Sequence, residues 1–155
     1  MFMKYLYVFL LSMVPIFELR GALPVATGMQ LPILHSYVLC IIGNMIPVPF
    51  IFFFARKFLT WGEDKPLIGR FCTFCIEKGN KGGQKLLAKA DRGIYVALLL
   101  FVGIPLPGTG AWTGTLAASI LDLDFKRSVT ACAGGVLLAG VIMILVSQGV
   151  FAIVT

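Results

Sequence analysis

Residues 94–121 run for 28 positions without a charge, yet their centre reads 103-GIPLPGTGAWTGT-115. A continuous membrane-crossing helix cannot hold such a run. Proline removes backbone donors, and unpaired backbone polar groups are costly in hydrocarbon unless buried in protein or facing water. Each flank has only about 12 residues, or about 18 Å of helix, against about 30 Å of hydrocarbon. The segment therefore reads as two half-helices meeting at a turn. Whether it crosses the membrane or returns is decided by charge.

Two basic clusters bracket it. Residues 56–92 hold nine Lys or Arg and four Asp or Glu, which is +5 of the chain's net +6. After residue 121 comes 122-DLDFKR-127, with Lys126 and Arg127. Basic loops favour the cytoplasm. A single crossing would separate the clusters, whereas a return to the same side keeps both cytoplasmic. The charge rule thus favours a re-entrant hairpin with its tip at residues 105–110. The composition requires a membrane protein in any case: 59% of residues are apolar, only 13% are charged, and mean hydropathy is +0.95. Soluble domains carry about 25% charge.

The first half of the chain has the same outline. Apolar residues 5–17 and 21–34 are each too short to span, and Pro15, Pro24 and Pro32 mark them. This reads as entry over 5–17, a break over 18–24 and a return over 25–34. Residues 36–55 and 128–155 are long enough to cross. Each half is then a hairpin followed by a span, entering from opposite sides, which is the inverted-repeat plan of many transporters. An offset of 90 places Pro15 on Pro105, and an offset of 91 places Gly43-Asn44 on Gly134-Gly135. The expected architecture is an all-α, multi-pass inner-membrane protein forming a single membrane domain, 1–155. It comprises 1–55, a cytoplasmic linker 56–92, and 93–155. Leu67, Ile68, Phe71, Phe74 and Ile76 make part of the linker an amphipathic helix on the inner leaflet, interrupted at Gly79, Gly82 and Gly83. The apolar N-terminus lacks a small-x-small cleavage site after it, which argues against a signal peptide.

Glu18 is the only acidic residue among the first 62. A carboxylate within apolar membrane sequence is costly and marks a functional candidate. One that takes up and releases a proton would serve as a proton or cation site. The alternative is a structural pair with Arg20, or a loop at the membrane interface. Arg20 in turn could hold an anion bidentately or only neutralise Glu18. At the second tip, Pro105 and Pro107 end the incoming helix, while Gly108 and Gly110 allow unusual backbone angles. Thr109 is the expected N-cap of the outgoing helix, whose free N–H groups would suit an anion. The competing reading is a tight packing turn. Pro24, Trp112 and Thr113 complete the candidate substrate-facing set. Small residues at four-residue spacing, Gly110/Gly114/Ala118 and Ala131/Gly135/Ala139, permit close helix contact, within one chain or in a homo-oligomer.

Cys72 and Cys75 form a lone CxxC without the second ligand pair of a zinc site, and His35 is the sole histidine. No cofactor, metal site, nucleic-acid partner or catalytic constellation is expected, so the chain reads as a non-enzyme.

The stretches 15-PIFELRGALPVATG-28 and 101-FVGIPLPGTGAWTGTLAA-118 together resemble the small multidrug export protein family, itself similar to the DedA membrane proteins. That resemblance implies two re-entrant hairpins in inverted halves, with Glu18 matching the acidic residue of the first and residues 105–110 the turn of the second. DedA proteins carry arginines around that turn, whereas residues 93–119 have none. Arg20 or backbone N–H groups would have to substitute. The expected function is proton-coupled export of small molecules by alternating access. Two alternatives stand beside it: translocation of a lipid phosphate of the undecaprenyl phosphate type, and a non-transporting structural or assembly role. Protons, membrane lipids and the transported molecule are the expected partners.

Overall fold

A computed structural model describes residues 1–89 and 93–154. The described residues form helices and connecting turns, with no strand among them. The first half holds α1 (Phe2–Met13), α2 (Glu18–Gly28), α3 (Ile33–Met45) and α4 (Pro47–Phe50), which runs into a π-helical turn, Ile51–Ala55. The linker holds α5 (Arg56–Gly62) and α6 (Gly69–Lys89), and the second half holds α7 (Ile94–Gly103), α8 (Ala111–Ile120) and α9 (Phe125–Val154).

Proline chemistry ends both α1 and α7. Val14 and Ile104 each precede a proline, and a residue in that position is pushed out of the helical region. Both are extended, at φ −77°, ψ 131° and φ −81°, ψ 120°. The closing ends of α2 and α8 also match. Met29 and Leu121 lie at φ −80°, ψ 0° and φ −81°, ψ 2°, followed by left-handed Gln30 (φ 58°) and Asp122 (φ 54°). Leu31 N–H then donates to Ala26 O at 3.1 Å and Leu123 N–H to Ala118 O at 3.0 Å. This is the Schellman closure of a helix end, made twice at positions 92 apart. A long helix follows each time, at Ile33 and at Phe125.

The long helices meet their neighbours in matching ways too. A Cβ on Gly43 would press on Phe9 O (2.9 Å) and on Ser12 Oγ, and one on Gly135 on Leu99 O (2.7 Å) and the Val102 side chain (2.6 Å). Phe9 and Ser12 lie 90 positions before Leu99 and Val102, whereas Gly43 lies 92 before Gly135. The second half therefore carries two extra residues at its break. With that shift, Ser36, Cys40 and Gly43 align with Ser128, Cys132 and Gly135, all of them buried. Small residues here let α3 lie close on α1, and α9 on α7. Between halves, α2 packs on α9 while α8 packs on α4 and the π turn. Ser119 Oγ fastens the latter contact by donating to Phe52 O at 2.7 Å.

Two helices are long and apolar enough to cross a membrane: Ile33–Ala55, with 23 residues, and α9, with 30. Only 28% and 33% of their most apolar stretches are covered by the rest of the chain. Phe50, Leu145 and Val150 point outward, each more than half exposed. A soluble protein would cover the core faces of such helices. An integral membrane protein leaves them to lipid.

Three expectations change. The first break occupies residues 14–17, not 18–24, because Pro15 is the residue that stops α1. Pro24 lies inside α2, where it costs the single N–H that would reach the Arg20 carbonyl. The linker helix α6 runs through Gly79, Gly82 and Gly83. Each glycine costs a helix only about 1 kcal/mol, and α6 is braced on α8, with Gly83 against Leu121. Ala90, Asp91 and Arg92 at the end of the linker, and Thr155, lie outside the described residues.

Candidate functional site at the joined breaks

Glu18 opens α2 in a left-handed conformation, φ 49°, and its N–H is held by Val14 O at 2.8 Å. This geometry turns the carboxylate away from its own half. Oε1 accepts the Trp112 N–H at 3.1 Å, and the Ala111 N–H also faces the carboxylate. Glu18 is thus the side-chain cap of α8, placed on the positive end of that helix dipole. It is buried, at 5% exposure. Gly110, the N-cap residue at φ 148°, is what admits it: a Cβ there would collide with the Glu18 carboxylate.

Arg20 reaches the other side of the same break. Its guanidinium donates to Val102 O at 2.7 Å, Ile104 O at 3.2 Å, Leu106 O at 3.0 Å and Thr109 O at 2.9 Å. It also donates to Thr109 Oγ1 at 2.9 Å. Val102 and Ile104 belong to the last turn and the end of α7, the negative end of its dipole. A planar cation with five donors suits this set of carbonyls, which an ammonium could not span. Glu18 and Arg20 therefore each sit on the dipole end of opposite sign, where their charge is favoured. They are near enough to attract one another, but no direct ion pair joins them among the described residues.

Thr109 is not the N-cap expected from the sequence. Its hydroxyl turns back to Ile104 O (3.0 Å) and Leu106 O (2.8 Å), and the cap position passes to Gly110. Pro107 and Gly108 are exposed at the outer edge of the break, Pro105 is half-buried, and Trp112 and Thr113 lie in the first turn of α8. The Trp112 Nε1 is buried without a hydrogen-bond partner. Pro24 stands apart from this cluster, within α2. The small-residue rows are used inside the chain, Gly114 against Val102 and Leu98, and Gly135 against α7.

The reach of Glu18 and Arg20 across 82 to 94 positions has no local signature. The one hint was the absence of any charge in residues 93–119, which left the second break without a cation of its own. Tyr37 was also missed; its hydroxyl donates to Leu137 O at 2.9 Å and ties α3 to α9. Among the described residues, no group of three His, Cys, Asp or Glu gathers as a metal site. Cys40, Cys72 and Cys132 are buried free thiols. Cys72 packs on Gly62, and the Cys75 side chain lies outside the described residues.

A family model described as "Putative small multi-drug export protein" matches residues 18–142. The chain belongs to this family. No curated protein and no solved structure matches it. In this member of the small multi-drug export family, the matched region takes in Glu18, Arg20 and the whole second break. The family name describes export of small molecules across a membrane, which agrees with the two uncovered apolar helices.

Proposed function

We propose that the protein is a proton-coupled membrane transporter of small molecules, working by alternating access between two inverted halves. One observation carries the reading: a buried carboxylate from the first half caps the opening helix of the second. A proton on Glu18 removes the negative charge from the α8 N-terminus. The electrostatic part of that cap is then lost, and the halves are held at this point mainly by Arg20. Protonation and movement of the breaks are thereby coupled. The matched helix ends and glycine contacts support two copies of one unit. In an inverted pair the two breaks are re-entrant tips entering from opposite sides, and the linker and residues 122–127 share the cytoplasmic side of the inner membrane.

A second reading, translocation of a lipid phosphate, is favoured by the same geometry. Once Glu18 is neutral, the Ala111 and Trp112 N–H groups and the nearby Arg20 form an anion-binding set. Proteoliposomes with an imposed proton gradient separate the two, measuring uptake of a cationic dye beside flipping of a fluorescent lipid phosphate. Glu18→Gln keeps the shape of the cap and cannot cycle a proton. It should abolish the gradient-driven part of whichever activity the wild type has. Unchanged gradient-driven transport in this variant would sink the reading.

A further inference from the structure

The two halves carry a second pair of matched features at the starts of their long helices. Tyr5, Leu34, His35, Val38 and Leu39 line a groove of about 510 Å³ in the first half. Tyr95, Lys126, Arg127, Thr130 and Ala131 line one of about 400 Å³ in the second, where Val96 and Leu99 add to the wall without a counterpart in the first. Tyr5 and Tyr95 are 90 positions apart, and the other four pairs are 92 apart, the same two offsets that relate the helices. The grooves are one scaffold feature made twice, with different rims. Leu34 is replaced by Lys126, His35 by Arg127 and Val38 by Thr130. The scaffold does not need the cations, because the first half forms its groove without them.

We propose that the second groove is a binding site for an anionic phospholipid, with the phosphodiester between Lys126 and Arg127 and an acyl chain along Leu99 and Ala131. Lys126 and Arg127 are the second and third residues of α9, at the head-group level of a helix whose apolar stretch has a mean hydropathy of 2.5. Both are exposed, and neither forms an ion pair among the described residues. The Arg127 guanidinium lies 5.8 Å from the centre of the Tyr95 ring. That ring is itself fixed, since its hydroxyl accepts the Asp124 N–H at 3.1 Å. A guanidinium held in place by a ring presents its donors to a phosphate at reduced entropic cost. Of the nearby acids, Asp124 accepts the Arg127 backbone N–H at 3.0 Å, and Asp122 lines a different groove with Lys57. The site is distinct from the joined breaks, because Tyr95 stands at the opposite end of α7, about 15 Å of helix away. The lipid would belong to the cytoplasmic leaflet, an assignment that rests on the inverted arrangement proposed above. The bound lipid itself does not depend on transport.

Native mass spectrometry of the full chain released from detergent tests this without any gradient. Offered equal phosphatidylglycerol and phosphatidylcholine, the wild type should retain one phosphatidylglycerol in about thirtyfold preference, the scale expected for two cations at a membrane surface. K126Q/R127Q should lose the preference, with helix content checked by circular dichroism. K57Q should keep it. L34K/H35R, which moves the cations onto the first groove, should retain a second phosphatidylglycerol. Glycerol 3-phosphate, the head group without chains, should displace nothing. The proposal is overturned if K126Q/R127Q keeps its preference while folded, if the wild type shows none, if L34K/H35R gains no second lipid, or if glycerol 3-phosphate competes.

Discussion

The two halves share helix order, closing turns and glycine contacts, but their breaks are built differently. The first is short, residues 14–17, exposed and uncharged; the second, residues 104–110, is longer and is tied down from outside. The two residues at the start of α2 that do the tying are charged. Their matches 92 positions on, Gly110 and Trp112, are neutral. Six hydrogen bonds run from Glu18 and Arg20 to the second break and the helices it joins. In the matching place, Trp112 leaves its Nε1 without a partner. The shared features belong to the scaffold. The unshared ones set one break apart as a latched contact.

The largest test of the asymmetry removes the latch. Arg20→Leu leaves the carbonyls of Val102 and Thr109 without a donor and takes one of several from Ile104 and Leu106, and should cost about 4 kcal/mol. The matched change Trp112→Phe removes an unpartnered N–H and three ring atoms of a half-buried side chain, and should cost about 1–2 kcal/mol. Thermal unfolding in detergent compares them, and similar losses would break the comparison. Next is Gly110→Ala. It adds strain at φ 148° to a collision with Glu18, for about 3 kcal/mol. Gly108→Ala, at φ 79° with open space around it, should cost about 1 kcal/mol. A third pair of changes sharpens the likeness instead of the difference. Gly43→Ala and Gly135→Ala each press a methyl group on a neighbouring helix backbone, and should each cost about 2 kcal/mol. Losses that differ by more than about 2 kcal/mol would argue against equivalent positions.

Much of this fold was legible because proline and glycine act locally. Pro105, Pro107 and the glycines around them placed the second break correctly. The first was placed too late because Pro15 and Pro24 look alike in sequence. Pro15 stops a helix whose last turn has nothing beyond it, whereas Pro24 sits in a helix packed on α1, α3 and α9. Glu18 and Arg20 were recognisable as costly residues in apolar sequence. Their partners were not, since a contact between residues 20 and 109 is set by how helices pack. The correspondence of Ser36, Cys40 and Gly43 with Ser128, Cys132 and Gly135 was present in the sequence. It was hidden by the two-residue shift at the break, which no single offset can accommodate.

In the arrangement proposed above the halves are inverted copies, so equivalent residues face opposite sides of the membrane. Leu34 and Lys126 are matched, exposed and at the starts of their long helices. Leu34→Cys and Lys126→Cys, each made in a chain lacking Cys40, Cys72, Cys75 and Cys132, can be reacted with a membrane-impermeant maleimide in intact cells and in opened membranes. In the inverted arrangement Leu34→Cys labels in intact cells and Lys126→Cys only after opening. Labelling of both from the same side would contradict it.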